Sequence, residues 1–372
     1  MDKLVIVARQ VLGMVSLLLF VAVQTGWSHT SALSEKTYKP SVPRFSEEDI
    51  IERLENISSV IDINYTYEVG RRIKEYTVTY RKAGEKILGR VDLYFPLFEK
   101  EIHKRKLPEE LKYVAVVESN LVPTATSSLG ATGLWQFMSA TGRMKGLKIN
   151  SVIDERRDPV KSTSAALDYL TDLYCEFDDW TLAIAAYNCG PGNVRKAIRR
   201  GGSYNFWEIR RFLPRETQNY VPRIIAAMYL MQYYHYHKLT PELVDEDMKY
   251  TVQLNDGKKH NLYELSRDLE IPYRTVRKLN PQFKSAYVPK NNGDLTIVIP
   301  RSKYEDYLKT YDEEAYHDLL DQRRKSRIKR MAEIQKIMEN NKVKPLQNIE
   351  EIQPRPVYSA MTMRQAKIDR NL

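Results

Sequence analysis

The segment Leu111-Lys-Tyr-Val-Ala-Val-Val-Glu118-Ser119 is an apolar run with helical spacing that ends in a single carboxylate. Directly after it the chain becomes small, polar and glycine-rich, from Thr124 to Ser128 and on through Gly130-Ala-Thr-Gly133-Leu-Trp-Gln136. A carboxyl group at the buried end of a helix, faced by such a loop, is expected to have the raised pKa that a general acid needs near neutral pH. A lone glutamate at a helix end is more often simply solvated, so the surrounding motifs must distinguish the two interpretations.

Helical periodicity is densest in the segment from Leu107 to Lys238 around this run. No stretch there alternates in the manner of a strand, so the sequence predicts an all-α or nearly all-α domain at 107–238. Each helix is bounded by Gly, Pro or a capping polar residue. The predicted helices are Pro108–Ser119, Thr132–Gly142, Pro159–Phe177, Trp180–Asn188, Asn193–Arg199 and Glu216–Tyr236.

A helical extension is predicted ahead of this domain, at 46–106. Ser46-Glu-Glu-Asp49 has the pattern of a helix N-terminal cap. A second amphipathic stretch runs from Tyr67 to His103, and we expect Pro96 to bend or interrupt it. The extension is therefore expected to supply packing surface for the domain that follows.

The periodicity changes after Thr240-Pro241, where a small α+β module is predicted at 248–301. Its elements are expected in the order strand, helix, helix, strand. They are predicted at Tyr250–Leu254, Leu262–Leu269, Val276–Leu279 and Leu295–Ile299. The fold class predicted for the chain is thus mainly α, with one small α+β module.

The N-terminus has the layout of an export signal. Lys3 and Arg9 precede the apolar stretch Val11–Val23, and the small residues that follow offer a cleavage site. We therefore predict a signal peptide at 1–32 and a proline-containing linker at 33–45. An uncleaved anchor helix is the alternative to a signal peptide, and both interpretations make this an exported protein.

The 372-residue chain has a net charge of +10 and a pI near 9.2, which favours an anionic partner. Nucleic acid, anionic lipid and acidic cell-wall glycan all fit that charge. The sequence has no zinc-finger spacing, phosphate loop or basic-aromatic RNA-binding motif, so nucleic acid is not an expected partner. In the charged tail at 302–372, the basic cluster Arg323–Arg330 predicts a solvated helix fading into disorder, or attraction to an anionic surface.

Neither the cysteines nor the histidines predict a reactive or metal-binding site. Cys175 and Cys189 fall near the ends of successive helices, so an antiparallel hairpin would hold them too far apart to bond, and two buried free thiols are expected. His235 and His237 lie two residues apart in a predicted helix and face different directions. We expect no metal and no cofactor.

Four short segments carry the chemistry, although each of them alone is weak evidence. They are Glu118-Ser119, Ser127-Ser-Leu-Gly-Ala-Thr-Gly-Leu-Trp-Gln-Phe-Met138, Ala185-Ala-Tyr187-Asn188-Cys-Gly-Pro-Gly192 and Glu216-Thr-Gln-Asn-Tyr220-Val221. In this order, in one helical domain after an export signal, they resemble the family 1 lytic transglycosylases, whose catalytic domain is lysozyme-like. The resemblance covers about residues 46–238 and is strongest from 107 to 223.

The resemblance implies that the substrate is the glycan strand of peptidoglycan, cut between N-acetylmuramic acid and N-acetylglucosamine. It also implies a single catalytic carboxylate, Glu118, which first gives a proton to the glycosidic oxygen and then takes one from the C6 hydroxyl of the sugar, closing a 1,6-anhydro ring. Ordinary glycosidases use two carboxyl groups instead. A lysozyme-type hydrolase of the same bond and an inactive peptidoglycan-binding scaffold are the alternatives. The implied location is the bacterial cell envelope, periplasmic or membrane-associated.

By matching position, the resemblance also assigns substrate contacts. These are Ser119, Ser127, Gln136, Met138, Tyr187, Asn188 and Glu216. Tyr187 is expected to orient Glu118 or the sugar, and Gln136 to hydrogen-bond sugar or acetamido groups. Glu216 would tune Glu118 through like charge or serve only as a helix N-terminal residue. Trp135 suits stacking on a sugar as well as a place in the core.

The module at 248–301 resembles a divergent LysM repeat, a fold that binds glycans containing N-acetylglucosamine. Tyr250-Thr-Val opens it, Leu279-Asn-Pro281 ends its second helix, and Ile297-Val-Ile-Pro300 closes it. The usual Gly-Asp-Thr-Leu after the first strand is replaced here by Asn255-Asp-Gly-Lys-Lys-His260. Glycan binding and a packing or spacer role therefore both remain open.

Overall fold

Helices dominate the part of the chain that the computed structural model describes, namely residues 42–43, 45–290 and 295–340. The predicted signal segment at 1–32 and most of the linker lie outside these residues. The first helices are α1 (Glu47–Glu55), α2 (Tyr67–Lys74) and α3 (Arg81–Arg105), with a π-helical turn at Glu75–Thr79. Ser46 and Asp49 form the predicted capping box at the start of α1. Pro96 lies inside α3, so it does not interrupt that helix.

The central segment continues with eight further helices among the described residues. They are α4 (Lys112–Ser119, after a 3-10 turn at Glu109–Leu111), α5 (Ser139–Met144), α6 (Pro159–Phe177), α7 (Trp180–Cys189), α8 (Pro191–Gly201), α9 (Phe206–Ile209), α10 (Arg215–Gln218) and α11 (Tyr220–Tyr233). Asp158 begins α6 by accepting hydrogen bonds from the first backbone amides, with Pro159 at the first helical position. The core centres on α11, which is buried on most of its surface and packs on α2, α4 and α7. The predicted mainly α fold is confirmed.

Two predicted helices depart most from the structure, whereas the bounds of the others differ by a few residues or agree. The helix predicted at Thr132–Gly142 was wrong in its first half, since only Ser139–Met144 is helical. Gly133 and Gln136 have positive φ angles of 94° and 48°, which a right-handed helix excludes. Backbone bridges from Thr132 to Thr126 and Phe137 replace the helical hydrogen bonds. The helix predicted at Glu216–Tyr236 is divided at Asn219 into α10 and α11.

The C-terminal module contains the predicted strand, helix, helix and strand in that order, together with two short strands that were not predicted. After a short helix α12 (Glu246–Lys249), its elements are β1 (Thr251–Leu254), β2 (His260–Asn261), α13 (Leu262–Asp268), α14 (Tyr273–Leu279), β3 (Tyr287–Val288) and β4 (Ile297–Pro300). The strand β1 pairs antiparallel with β4, so that Thr251 lies opposite Pro300, and β2 pairs antiparallel with β3.

The module is fixed to the central helical segment by backbone hydrogen bonds. The amide of Asp154 donates to the carbonyl of Gln282, and the amide of Lys284 donates to the carbonyl of Val152, each at 2.9 Å. Ile153 is buried in the apolar core of the module. The described residues from Phe45 onward accordingly belong to one compact unit.

Two helices follow the module, α15 (Tyr304–Tyr311) and α16 (Glu313–Asn340). Only the first residues of α16 pack on the module, through Ala315, Tyr316 and Leu319. In the described ranges, none of the helices combines the length and the apolar character that crossing a bilayer requires.

The cysteines and histidines have mainly structural surroundings. Cys175 and Cys189 are both free thiols, but Cys175 is exposed and Cys189 is half-buried, so the expectation that both are buried was wrong. His237 is buried, and its Nε2 lies 2.9 Å from the hydroxyl of Tyr229. Burial is the main cause that lowers the pKa of His237 to about 4, so it is neutral at physiological pH and serves as a packing residue.

Candidate active site

Glu118 lies in the last turn of α4 and lines a cleft of about 590 Å³. The helix ends just beyond it because Asn120 and Leu121 adopt positive φ angles of 51° and 60°. The preceding residues Val114–Val116 are fully buried. The carboxyl group is therefore fixed at the junction between the core and the cleft.

The carboxyl group of Glu118 is held by Tyr220 at the start of α11. The Tyr220 hydroxyl donates a hydrogen bond of 2.5 Å to Oε1 of Glu118. Burial raises the pKa of Glu118 from its usual 4.5 to about 7, although the hydrogen bond from Tyr220 lowers it. Burial also raises the pKa of Tyr220 far above its usual value, so the phenol keeps the proton that it donates. A carboxyl group with a pKa near 7 populates both of its forms, as an acid that later acts as a base must do.

Burial and the Tyr220 hydrogen bond have the larger effects on the pKa of Glu118. Two charged side chains in the cleft shift that pKa further, in opposite directions. The charge of Glu216 raises the pKa of Glu118, and that of Arg223 lowers it. Glu216 is exposed in the first turn of α10, and its carboxylate accepts a 3.4 Å hydrogen bond from Asn188. Arg223 lines the cleft from α11, three residues after Tyr220. Glu216 is therefore both a helix N-terminal residue and a charge that acts on Glu118.

The glycine-rich loop that faces Glu118 is braced by Arg156. The guanidinium of Arg156 donates to the carbonyls of Gly130 at 2.9 Å and Phe137 at 3.1 Å, and it pairs with the buried carboxylate of Asp154. Gly133 is required in this loop because its φ is 94° and because a Cβ would lie 1.8 Å from the carbonyl oxygen of Arg156. The loop is thus held in place by protein contacts alone.

Ser119 faces the core side of this loop and does not line the cleft. Its side chain is buried, and its hydroxyl lies 2.9 Å from the carbonyl oxygen of Leu134 and 3.0 Å from that of Ala115. Since one hydroxyl proton serves these two acceptors, none is left for a ligand. The assignment of Ser119 as a substrate contact is therefore corrected to a brace between α4 and the loop.

Ser127, Gln136 and Met138 line the cleft from the loop. The Gln136 amide nitrogen donates to two loop carbonyls at 3.1 and 2.8 Å, so its Oε1 is directed to act as an acceptor. The Ser127 hydroxyl accepts a 3.0 Å hydrogen bond from a loop amide, which leaves its proton for a ligand. Met138 exposes 47% of its surface at the start of α5. These three side chains offer an acceptor, a donor and an apolar surface.

Tyr187 and Asn188 reach the cleft from the end of α7. The Tyr187 hydroxyl donates to the carbonyl of Trp135 at 2.7 Å, so the hydrogen bond that holds Glu118 comes from Tyr220 and not from Tyr187. Contact of Tyr187 with the sugar stays a prediction. The Asn188 side chain accepts a 2.7 Å hydrogen bond from Thr217 and thereby ties α7 to α10.

Trp135 belongs to the core. It is fully buried, its ring packs near that of Phe98, and its indole nitrogen donates to the Thr163 hydroxyl at 3.0 Å. Sugar stacking and core packing both suit this position by sequence, and the structure shows core packing.

The described residues contain no group of three or more His, Cys, Asp or Glu side chains arranged to hold a metal ion. The cleft instead presents one buried carboxyl group, a phenol donor, hydroxyl and amide groups, and one charge of each sign. Such a set can protonate an oxygen atom and hold a polar ligand without a metal.

Sequence comparisons with known proteins match the segment that contains Glu118. The family model described as Transglycosylase SLT domain matches residues 96–210. This chain carries a transglycosylase SLT domain. Membrane-bound lytic murein transglycosylase D of Escherichia coli (strain K12) is 44% identical over 142 residues, which are 37% of this chain and 31% of that protein. The chain thus spans less than a third of that relative's length.

Two further matches are more distant. The putative tributyltin chloride resistance protein of Alteromonas sp. (strain M-1) is 39% identical over 111 residues, which are 30% of this chain and 54% of that protein. Among solved structures, the 70 kDa soluble lytic transglycosylase of Escherichia coli is 26% identical, with a TM-score of 0.33, over 40% of this chain and 25% of that chain.

The SLT domain and the residues just beyond it bring together most of the predicted site. The cleft is lined by Glu118, Ser127, Gln136, Met138, Tyr187, Asn188 and Glu216. Tyr220 and Arg223, both on α11, are among the residues of the cleft that sequence reasoning did not assign. Tyr220 was already visible in the fourth motif, four residues after Glu216, but a phenol next to an acidic motif does not by itself predict which carboxylate it binds.

Proposed function

We propose that this chain is a peptidoglycan lytic transglycosylase that cleaves the bond between N-acetylmuramic acid and N-acetylglucosamine and forms 1,6-anhydro ends. The observation that carries the proposal is the protonatable carboxyl group of Glu118, buried in the cleft and held by Tyr220. The relative named a membrane-bound lytic murein transglycosylase supports the substrate class. The proposed location is the cell envelope, with the membrane association that the resemblance implies.

The proposed reaction proceeds in two proton transfers through Glu118. The protonated acid gives its proton to the glycosidic oxygen, and the bond from that oxygen to the anomeric carbon breaks. The ionised Glu118 then accepts the proton of the C6 hydroxyl, whose oxygen bonds to the anomeric carbon. The carboxyl group is regenerated, and no water is consumed. The Tyr220 hydrogen bond stabilises the carboxylate between the two transfers.

The alternative is a hydrolase of the same bond, which needs a second carboxylate to activate water or to attack the sugar. Glu216 is the other carboxylate among the described residues that line the cleft, and it supports this alternative. Its exposure and its contact with Asn188 suit a tuning residue better than a nucleophile. A scaffold without activity is disfavoured because the acid, its phenol donor and the braced loop are all present.

Mass spectrometry of digested sacculi separates these functions. We expect wild type to release 1,6-anhydro products, Glu118→Gln to release almost none, and Glu216→Gln to release 1,6-anhydro products at a reduced rate. Products heavier by one water would establish hydrolysis. Equal release by wild type and Glu118→Gln would exclude Glu118 as the acid.

For the module at 248–301 we propose a spacer that packs on the central segment, with glycan binding as the alternative. The loop that replaces the usual LysM motif is tied to α15, since the Tyr307 hydroxyl donates to Asp256 at 2.5 Å. The same carboxylate lies 2.8 Å from His260. Binding of chitin oligomers to the Glu118→Gln chain would favour the alternative if further cleft substitutions, Ser127→Ala and Gln136→Ala, left that binding unchanged.

A further inference from the structure

The helix α16 is exposed on all sides over most of its length. Every residue from 321 to 337 is exposed, and packing on the module is confined to the first residues of the helix. Several large apolar side chains are nevertheless among the exposed ones. They are Leu320 at 38% exposure, Ile328 at 61%, Met331 at 41%, Ile334 at 42% and Ile337 at 58%.

These apolar residues share their face with arginines. At about 100° per residue, Leu320, Ile328, Met331 and Ile334 fall within one half of the helix surface. The same half contains Arg323, Arg324 and Arg327, with Arg330 at its border. The opposite half contains Lys325, Lys329 and Lys336, together with the exposed Ile337. We call the first half the Arg-apolar face.

The surrounding charge is strongly positive. The segment Gln322–Ala332 contains the basic residues Arg323, Arg324, Lys325, Arg327, Lys329 and Arg330, and it has no acidic residue. The structure pairs Arg323 with Glu305 at 2.7 Å. The cations of the Arg-apolar face thus have no carboxylate within their own segment of the helix.

The occupant of this face must accept both apolar side chains and cations. A second copy of α16 would set the Arg324 and Arg327 side chains of two helices against each other along the seam, where like charges repel. A glycan strand offers hydroxyl and acetamido groups but no apolar layer for Ile328 and Met331. An anionic lipid surface offers both, because phosphates pair with guanidinium groups while methyl groups enter the acyl boundary.

We propose that the Arg-apolar face of α16 binds the surface of a membrane that contains anionic phospholipids, with the helix lying in the plane of the interface. The proposal is independent of the activity proposed for the cleft. It gives the chain a second attachment in addition to any N-terminal segment, and it would hold the SLT domain beside the bilayer.

Vesicle sedimentation tests this proposal on the chain from residue 33 onward. That chain retains the whole compact unit from Phe45, and it lacks the apolar N-terminal segment that would bind lipid by itself. We expect binding to vesicles of phosphatidylcholine mixed with phosphatidylglycerol, weakening as salt is added, and little binding to phosphatidylcholine alone.

Two variants that remove the same number of charges distinguish binding by this face from diffuse electrostatic attraction. Replacement of Arg324, Arg327 and Arg330 by Gln is expected to lower the partition coefficient roughly 100-fold, since each basic residue near an anionic surface contributes about fivefold. Replacement of Lys325, Lys329 and Lys336 by Gln removes the same charge from the opposite face and is expected to cost much less. Ile328→Ser with Met331→Ser should weaken binding at unchanged charge.

Four outcomes would overturn the proposal. They are absence of wild-type binding to the mixed vesicles, equal losses in the two charge variants, binding to isolated sacculi but not to vesicles, and self-association in sedimentation velocity that Ile328→Ser with Met331→Ser abolishes. Because all the substituted side chains are exposed, circular dichroism of each variant should match that of wild type.

Discussion

The Tyr220 hydroxyl donates a 2.5 Å hydrogen bond to Oε1 of Glu118, although 102 residues separate the two along the chain. This contact joins the end of α4 to the start of α11, two helices that pack on each other in the core. It opposes the effect of burial on the pKa of Glu118. The titration of the proposed acid therefore depends on the packing of these helices.

Tyr220→Phe removes the hydrogen bond that favours the ionised form of Glu118. We expect the pKa of Glu118 to rise by about one unit, because a hydrogen bond to a charged group contributes about 1.5–3 kcal/mol, part of which the variant recovers by relaxation. The alkaline limb of the pH–rate profile, where the acid loses its proton, should move to higher pH. Tyr187→Phe is the matched control, since its hydroxyl bonds to the Trp135 carbonyl, and it should leave that limb in place.

Glu216→Gln and Arg223→Gln should shift the same limb in opposite directions. Loss of the Glu216 charge lowers the pKa of Glu118, and loss of the Arg223 charge raises it. We expect each shift to be less than about one pH unit and to shrink with added salt, because both side chains line an open cleft. Shifts of the same sign in both variants would contradict this electrostatic account.

Ser119→Ala and Ser127→Ala should separate stability from substrate binding. Ser119→Ala removes the donor to the Leu134 carbonyl, and we expect the free energy of unfolding to fall by about 1 kcal/mol with KM unchanged. Ser127→Ala alters an exposed side chain of the cleft, so KM should rise while stability changes little. Urea denaturation and digestion kinetics measure the two effects. The reverse pattern would restore Ser119 as a substrate contact.

Glu118→Gln should stabilise the fold in alkaline solution. The folded pKa of about 7 lies above the usual 4.5, so the stability associated with the protonated form is complete below pH 4.5 and is lost as the pH rises through 7. The neutral amide avoids that loss. We expect the free energy of unfolding at pH 8 to exceed that of wild type by about 3 kcal/mol, with a much smaller difference at pH 5. No pH-dependent difference in urea denaturation would show that Glu118 is not buried in an ionised form at pH 8.

The helices of the central segment were predictable where local signals agree. Pro159–Phe177 was predicted with the bounds that the structure shows, because Asp158 and Pro159 mark its start and apolar periodicity continues to Phe177. The segment Thr132–Gln136 was not predictable in this way. Its positive φ angles are stabilised by Arg156, which is distant in the sequence, and no local pattern reports such a contact.

The sequence by itself determined the mainly α fold, the two helices and two outer strands of the module, and the identity of Glu118 as the candidate acid. Those features follow from side-chain periodicity, caps and short motifs, which act between neighbours in the chain. Only the tertiary structure decided that Ser119 braces the loop, that Tyr220 rather than Tyr187 holds Glu118, and that Arg223 enters the cleft. The reason is that burial, hydrogen bonds and charge act over a few ångströms in space, and folding brings those atoms together from distant parts of the chain.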